Sequence, residues 1–303
     1  MKGKDFLSIS DLTPKEVRNL VSQSKKIKTG VYPRPLEGKV IALLFEKPSL
    51  RTKLGFFKAI NMLGGHPIYF GPEEVGMGQR EPIKDIAKVV SKMADVVILR
   101  TFSHSTLEEF SHFSNIPVIN ALSDLEHPCQ ALGDLLTIKE FASISLNNVK
   151  ITFVGDGNNV ARSLCHAILS LGGEFVICSP KEFGFDNKYI TKANQLSKLY
   201  GGEFFIEHHP EKAVKNTNII YTDVWASMGQ EKEISKRKII FKNFQVNEQL
   251  LSISPEAFLM HDLPAHHGEE ISEGLLDHPQ SIVFEQAENR VWSQVSLLDQ
   301  IIL

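Results

Sequence analysis

Short apolar runs alternate with helical patterns along this chain, and the alternation restricts the fold more than any other feature. Residues 40–53 (VIALLFEKPSLRTK) join an apolar run to a turn and then to a helix start. Apolar runs of strand length recur at residues 67–70, 95–100 and 149–154. Strands that alternate with helices form mainly parallel sheets, and helices cover both faces of such sheets. We therefore predict an α/β fold.

The chain is long enough for two domains. Its 303 residues correspond to two units of about 150 residues each. A helix with a long apolar stripe begins at Pro128, and after a polar break at residues 143–148 the strand and helix patterns start again. We predict domains over residues 1–133 and 134–286, each a mainly parallel sheet flanked by helices, with interdomain helices joining them. The final helix, within residues 287–303, is expected to pack back on the first domain.

Composition argues against several partners and locations. A formal net charge of −3 provides no clustered basic face for nucleic acid or an anionic membrane. The sequence has no run of about 18 apolar residues, and its first residues lack the apolar core of a signal peptide, so we expect a cytoplasmic protein. Cys129, Cys165 and Cys178 are too widely spaced for a disulfide framework or a structural zinc site.

The turn after the first apolar run leads into a predicted helix whose N-terminus suits an anion. Ser49 is a favoured N-cap residue, and Arg51 and Thr52 follow in the first turn, where backbone N–H groups lack partners inside the helix. An ammonium from Lys47 or Lys53 would complete a site for a phosphate dianion. The alternative is an ordinary capped helix.

Polar residues also follow other predicted strands, at the end of the sheet where α/β proteins bind ligands. Those in the first half are cationic or hydrogen-bonding, and those in the second half bring carboxylates and amides. The positions are Arg100 and Thr101, residues 127–130 and 155–159, Thr222 and Asp223, and residues 261–264. This division predicts an anionic substrate on the first domain and an amine or amino acid on the second.

Other kinds of site find little support. Gly155 and Gly157 begin a dinucleotide fingerprint, but Val160 replaces its third glycine, which argues against NAD. The adjacent histidines at 208–209 and 266–267 lack the spacing of a metal site, so we predict no metal. No Walker loop or nucleophile elbow occurs.

Four motifs together resemble the aspartate/ornithine carbamoyltransferase family. They are Ser49-Leu50-Arg51-Thr52, Arg100-Thr101-Phe102, His127-Pro128-Cys129-Gln130 and Ala287-Glu288-Asn289-Arg290, and they stand in the family's order. Residues 155–159, 223–231 and 263–264 are similar to segments of the ornithine-specific branch. The Ser-Met-Gly sequence at residues 227–229 is the most specific mark, because the aspartate-specific branch lacks it.

The resemblance implies an enzyme that transfers the carbamoyl group of carbamoyl phosphate to the δ-amine of L-ornithine, giving citrulline and phosphate for arginine biosynthesis. It implies no cofactor, and a homotrimer or a multiple of trimers. The first domain would bind carbamoyl phosphate through Ser49, Leu50, Arg51, Thr52, Arg100, His127, Gln130 and Arg290. The second would bind ornithine through Asn159, Asp223, Ser227, Met228, Asp262 and Leu263.

The resemblance also implies that Arg51 and His127 are catalytic, and we expect a catalytic role for Asp262 at a position where this chain departs from the family. Arg51 and His127 would polarise the carbamoyl oxygen and stabilise the tetrahedral intermediate. Asp262 replaces the cysteine of the usual His-Cys-Leu-Pro sequence. Since a carboxylate beside an amine favours the ammonium form, Asp262 would either accept the amine proton or shift the pH optimum upward. The alternative is that Asp262 turns away and bonds backbone groups.

A second departure lies in the Gly-rich loop at residues 71–80, from which a side chain reaches a neighbouring subunit in the family. This chain has Gly76 where glutamine or histidine is common, and Gln79 or Arg80 would have to replace that contact. Two other functions stay open. One is carbamoyl transfer to another amine, such as putrescine or a modified ornithine, and the other is ligand binding without catalysis.

Overall fold

A computed structural model describes residues 1–30, 34–142, 144–226 and 231–302. The chain divides into two compact units, Met1–Leu136 with Glu288–Leu303, and Thr137–Ala287. We predicted that the two domains end at residues 133 and 286, and the observed boundaries follow residues 136 and 287. None of the helices in the described ranges is long and apolar enough to cross a membrane.

Two parallel sheets, one in each unit, confirm the predicted α/β class. The first has the order β2-β1-β3-β4 and the second the order β7-β6-β5-β8-β9. The central strand β3 is buried throughout, whereas the edge strands β2 and β7 are partly exposed. The strands are β1 (Val40–Phe45), β2 (His66–Phe70), β3 (Val96–Arg100), β4 (Val118–Leu122), β5 (Lys150–Val154), β6 (Glu174–Cys178), β7 (Glu203–Glu207), β8 (Ile219–Thr222) and β9 (Phe258–His261).

Helices connect the strands and flank the sheets. Several begin at the caps that their sequences predict: Thr13 and Glu16 form a capping box before α1, and Ser49 caps α2. The helices are α1 (Pro14–Lys28), α2 (Leu50–Met62), α3 (Pro72–Val75), α4 (Ile83–Met93), α5 (His104–Phe113), α6 (Pro128–Phe141), α7 (Asn159–Ser170), α8 (Asn187–Tyr200), α9 (Pro210–Ala213), α10 (Ile234–Phe241), α11 (Glu248–Ser252) and α12 (Val283–Ile301).

The strand order reverses once in each sheet, between β1 and β3 and between β5 and β8. Strand register brings the ends of these strands together. Phe45 of β1 pairs with Arg100 of β3, and Thr222 of β8 pairs with both Val154 of β5 and His261 of β9. Such a reversal opens a crevice beyond the carboxyl ends of the strands, and ligands bind there in this class of fold.

The part of α12 that belongs to the first unit packs against α6 and α1. A Cβ atom on Gly133 of α6 would lie 3.2 Å from Arg290 Cγ and 3.3 Å from its Cα, so glycine permits this close approach. Ser296 donates a hydrogen bond to the Leu20 carbonyl of α1 at 3.1 Å. This packing fixes the Arg290 backbone beside the first turns of α6.

Three local predictions need correction. The last helix begins at Val283 rather than at residue 287, because Gln286 N–H already donates to the Ile282 carbonyl at 2.9 Å. The segment 71–80 contains the short helix α3 and is not a simple loop. Strand β9 extends to His261, so Asp262 is the first residue beyond it.

Candidate active site

The N-terminus of α2 follows β1 at the reversal point of the first sheet. Ser49 Oγ accepts a hydrogen bond from the Thr52 backbone N–H at 3.3 Å, as the predicted cap requires. Arg51 is half-buried in this turn, and Leu50 is 75% exposed. The buried Arg290 donates from Nη2 to Thr52 Oγ1 at 2.7 Å. The structure therefore brings a second guanidinium to the helix end that was predicted to bind an anion.

Lys47 and Lys53, the two candidate ammonium groups, lie in different surroundings. Lys53 Nζ lies 3.5 Å from the centre of the Tyr69 ring. Lys47 is buried, and its burial and the nearby Arg100 guanidinium lower its pKa to about 8, against the opposing effect of Asp124. Because it lies beside Arg100, Lys47 is the ammonium that belongs to the candidate anion site.

His127 serves both as a helix cap and as part of the cationic cluster. Its carbonyl accepts the backbone N–H groups of Gln130 at 3.1 Å and Ala131 at 3.2 Å, which begins α6. Its imidazole is buried. Burial, followed by the charges of Arg290, Arg100 and Lys47, lowers its pKa well below the usual range. A neutral imidazole can donate a hydrogen bond without adding a further charge.

Gln130 presents a hydrogen-bond acceptor inside the same cluster. Its Nε2 donates to Asp134 Oδ1 at 2.8 Å, which fixes the orientation of the amide. Its Oε1 is buried and has no hydrogen-bond partner among the described residues. A buried acceptor is costly to leave unbonded, so this oxygen suits an N–H group of a ligand.

Asp223 is the first residue after β8 and is buried at the reversal point of the second sheet. Its Oδ2 accepts the side-chain amide of Asn158 at 2.6 Å, and its Oδ1 accepts the Val224 N–H at 2.8 Å. Asn158 also caps α7 by accepting the Ala161 N–H at 3.0 Å. Asn158 thus links Asp223 to the N-terminus of α7.

Asp262 leaves β9 directly beside Asp223. Its side chain is 13% exposed, and its Oδ1 lies 3.7 Å from His261 Nδ1. That nitrogen accepts the Leu263 N–H at 2.9 Å, and Leu263 has a positive φ of 60°. Burial first, and then the charge and hydrogen bond of Asp262, raise the pKa of Asp223 well above its usual range. The predicted ornithine residues Asp223, Asp262 and Leu263 therefore lie together.

Two side-chain groups have the composition of a metal site. Ligand atoms of Asp223, His261 and Asp262 lie within 4.8 Å of one another, and so do those of His266, Glu269 and Glu270. In the first group, both His261 nitrogens are engaged, Nδ1 by the Leu263 N–H and Nε2 by Glu270 Oε1 at 3.1 Å. In the second, Glu269 forms an ion pair with Lys238 at 2.7 Å. We assign no metal to either group.

Sequence reasoning missed the residues that support these loops. Arg237 of α10 is buried and donates to Asp156 Oδ2 at 2.7 Å and to the Trp225 carbonyl at 2.8 Å. Gln286 of α12 accepts the His261 N–H at 2.9 Å and donates to Tyr221 Oη at 2.9 Å. Their only signal in the sequence is a polar residue on the buried face of a helix.

The remaining predicted positions are as follows. Asn159 is the first residue of α7 and is half-buried, whereas Ser227 and Met228 lie outside the described residues. Gly76 ends α3 with a positive φ of 49°, a conformation that glutamine or histidine rarely adopts. Gln79 and Arg80 are both exposed.

Comparison with known proteins identifies the family. The family model described as "Aspartate/ornithine carbamoyltransferase, carbamoyl-P binding domain" matches residues 4–140. The model described as "Aspartate/ornithine carbamoyltransferase, Asp/Orn binding domain" matches residues 147–301. The ornithine carbamoyltransferase of Pyrococcus abyssi is 43% identical over 303 residues, which cover 98% of this chain and 95% of the relative.

Solved structures give the same result. The ornithine carbamoyltransferase of Pyrococcus furiosus superimposes with a TM-score of 0.95 at 42% identity, covering 99% of this chain and 97% of that one. The anabolic enzyme of Campylobacter jejuni gives a TM-score of 0.94 at 35% identity, with 98% of each chain covered. The resemblance predicted from the four motifs is confirmed, and the chain belongs to the aspartate/ornithine carbamoyltransferase family.

Proposed function

We propose that this protein is an ornithine carbamoyltransferase, which converts carbamoyl phosphate and L-ornithine to citrulline and phosphate. The relatives from Pyrococcus and Campylobacter carry this activity in their names, and two of them are called anabolic. Arginine biosynthesis is therefore the proposed role. The observation that carries the proposal is the buried cluster of Lys47, Arg100 and Arg290 around a neutral His127.

The first unit has the groups that carbamoyl phosphate needs. Its phosphate would bind at the N-terminus of α2, with guanidinium forks from Arg51, Arg100 and Arg290. The carbamoyl N–H would donate to Gln130 Oε1, the buried acceptor that has no partner among the described residues. The set proposed for this substrate is Ser49, Leu50, Arg51, Thr52, Arg100, His127, Gln130 and Arg290.

Catalysis would proceed by direct attack of the neutral δ-amine on the carbamoyl carbon. A C–N bond forms while the carbonyl electron pair moves to oxygen, and hydrogen bonds from Arg51 and His127 stabilise the resulting oxyanion. When that pair returns, the C–O bond to phosphate breaks, and the nitrogen loses its extra proton. Phosphate is a stable leaving group, so no covalent enzyme intermediate is needed, and rate enhancement would come from positioning and charge stabilisation.

The second unit has groups that suit ornithine. Asp223 would pair with a substrate ammonium, and the backbone N–H of Met228 would bind the α-carboxylate. Asp262 would lie near the δ-amine and accept the proton that the nitrogen must lose. The set proposed for ornithine is Asn159, Asp223, Ser227, Met228, Asp262 and Leu263.

The test is citrulline formation by the purified protein with carbamoyl phosphate and ornithine from about pH 6 to 10. Putrescine and aspartate are assayed in parallel, because the Asp262 carboxylate also suits an amine other than ornithine. Saturable citrulline formation supports the proposal. Turnover of putrescine without turnover of ornithine would instead identify putrescine as the substrate. Binding of carbamoyl phosphate without turnover of any amine identifies a non-catalytic protein. The Arg290→Gln variant, purified identically, controls for a contaminating enzyme.

We further propose a cytoplasmic homotrimer or a multiple of trimers. Apolar side chains on α2 and the edge strand β2 support a subunit contact, since Leu50, Leu54, Ile68 and Phe70 are 75%, 64%, 45% and 37% exposed. Sedimentation analysis tests this assembly. A monomer at micromolar concentration would contradict it.

A further inference from the structure

Asp223 and Asp262 lie together because their strands end side by side. Thr222 of β8 pairs with His261 of β9, so the next residue of each strand leaves the sheet at the same edge. Side-chain oxygens of the two aspartates lie within 4.8 Å of each other. Asp223 is 5% exposed, and the Asp262 side chain is 13% exposed. Two carboxyl groups at this distance and depth cannot both ionise without a large electrostatic penalty.

Asp223 is held by neutral donors. Its two oxygens accept hydrogen bonds from the Val224 N–H and the Asn158 amide. These bonds favour ionisation, but burial and the neighbouring Asp262 outweigh them and raise the pKa of Asp223. Burial and the neighbouring carboxyl group therefore both favour the protonated form of Asp223.

Two titratable groups beside the pair in the second unit, His261 and Asp156, are engaged with other partners. His261 carries its proton on Nε2, because Nδ1 accepts the Leu263 N–H, and that proton faces Glu270. Asp156 is paired with Arg237. Among the described residues, no lysine or arginine forms an ion pair with Asp223 or Asp262. A substrate ammonium would be a cationic partner for the two carboxyl groups.

We propose that Asp223 and Asp262 act as one acid pair, which holds a single proton in the free enzyme and releases it to solvent when the side-chain ammonium of the substrate binds. The inference rests on the proposed function, because that ammonium is the δ-ammonium of ornithine. The carboxyl O–H bond breaks, its electron pair stays on the carboxylate, and the proton is bound by water or buffer. The bound ammonium then faces two carboxylates. Ornithine is consequently selected as a cation, and its affinity rises about tenfold per pH unit while the pair is protonated.

The test counts the protons released when ornithine binds. The protein is saturated with phosphonoacetamide, a stable mimic of carbamoyl phosphate, and titrated with ornithine by calorimetry at about pH 6 in buffers of different ionisation enthalpy. We expect about one proton released per ornithine by the unsubstituted protein and a smaller number by Asp262→Asn, in which only burial still raises the pKa of Asp223. Norvaline, which lacks the side-chain amine, is expected to release about none.

Equal proton release by the unsubstituted protein and Asp262→Asn would overturn the proposal, because Asp262 would then take no part in holding the proton. Equal release by ornithine and norvaline would also overturn it. Asp262→Glu, which keeps a carboxyl group, is expected to restore the release, and this distinguishes the acid pair from a general loss of structure.

A second measurement does not depend on calorimetry. The KM for ornithine is expected to fall about tenfold per pH unit on the acidic side in the unsubstituted protein, and in Asp262→Asn this fall is expected to end at a lower pH. If the KM for ornithine depended on pH in the same way in both proteins, the proposed acid pair would be contradicted. Failure of the proposed function is separate, since it appears as an absence of citrulline in the turnover assay, whatever the proton count.

Discussion

The two units use the same sheet architecture to gather opposite charges. Beyond the first sheet, Lys47, Arg100 and Arg290 surround a neutral histidine. Beyond the second, Asp223 and Asp262 meet with no lysine or arginine paired to them in the described part of the chain. Both clusters lie where the strand order reverses. The reversal point thus determines where a ligand binds, and the residues of the following turn determine its charge.

Each cluster also carries an electrostatic penalty that a ligand of opposite charge would remove. Burial with like charges lowers the pKa of Lys47 to about 8 and raises that of Asp223. Substrate binding would reverse both shifts, because a phosphate favours the ammonium and an ammonium favours the carboxylate. The comparison predicts that changes in the first cluster alter the binding of carbamoyl phosphate and that changes in the second alter the binding of ornithine.

The largest expected effect on activity comes from a substitution in the cationic cluster. Arg290→Gln removes the guanidinium that bonds Thr52, and kcat/KM for carbamoyl phosphate is expected to fall about 10³-fold. Arg290→Lys is expected to recover only part of this loss, because an ammonium cannot reproduce the planar fork. Steady-state kinetics with each substrate varied provide the measurement. Full activity in the lysine variant would show that charge alone matters.

The next largest effect concerns the neutral member of that cluster. His127→Gln is expected to lower kcat about 10²-fold through loss of an oxyanion donor. Since the pKa of His127 is far below its usual range, we expect the pH–rate profile to contain no step near pH 6.5. Such a step, absent from the glutamine variant, would mean that His127 titrates during catalysis and that the cluster tolerates another charge.

A smaller effect depends on pH and distinguishes the two candidate lysines. The Lys47 ammonium is present below its pKa of about 8 and is lost as the pH rises through that value. The KM for carbamoyl phosphate is therefore expected to rise up to about tenfold from pH 7 to pH 9. Lys47→Met is expected to have a high KM that does not change over this range. Lys53→Met is the matched control and is expected to keep the pH dependence.

The smallest effect is on stability in the second unit. Asp223 has a raised pKa in the folded state, so its folded-state stabilisation is present at low pH and is lost as the pH rises through that pKa. Asp262→Asn removes the opposing charge and is expected to raise Tm by about 2–4 °C at pH 8. Glu273→Gln, at an exposed acid of the same loop, is the control. Equal shifts in both variants would contradict a specific Asp223–Asp262 repulsion.

Much of this arrangement could be predicted from local sequence. Ser49 caps α2 and Pro128 begins α6 as expected, because cap chemistry depends on neighbours in the sequence. Asp223 and Asp262 were found because polar residues at the ends of parallel strands converge on one edge. The motifs at residues 49–52 and 127–130 were among the four that indicated the family.

Other features depend on contacts that the sequence does not show. Residues 282–284 are β-branched and aromatic, so propensity does not favour a helix there, yet packing buries Val283 and starts α12 at that residue. The hydrogen bond from Asn158 to Asp223 depends on the position of β8. The supports Arg237, Glu270 and Gln286 are visible only when distant segments are brought together.

The discontinuous first unit has a consequence for synthesis of the protein on the ribosome. Residues 1–136 are translated first, but Arg290 is added only after the whole of residues 137–287. At about 5–20 residues per second, this interval lasts roughly 8–30 s. A nascent chain therefore carries the Ser49 turn for many seconds without the guanidinium that bonds Thr52. If Arg290 is required to bind carbamoyl phosphate, as proposed, that binding is delayed until the unit proposed to bind ornithine has been made.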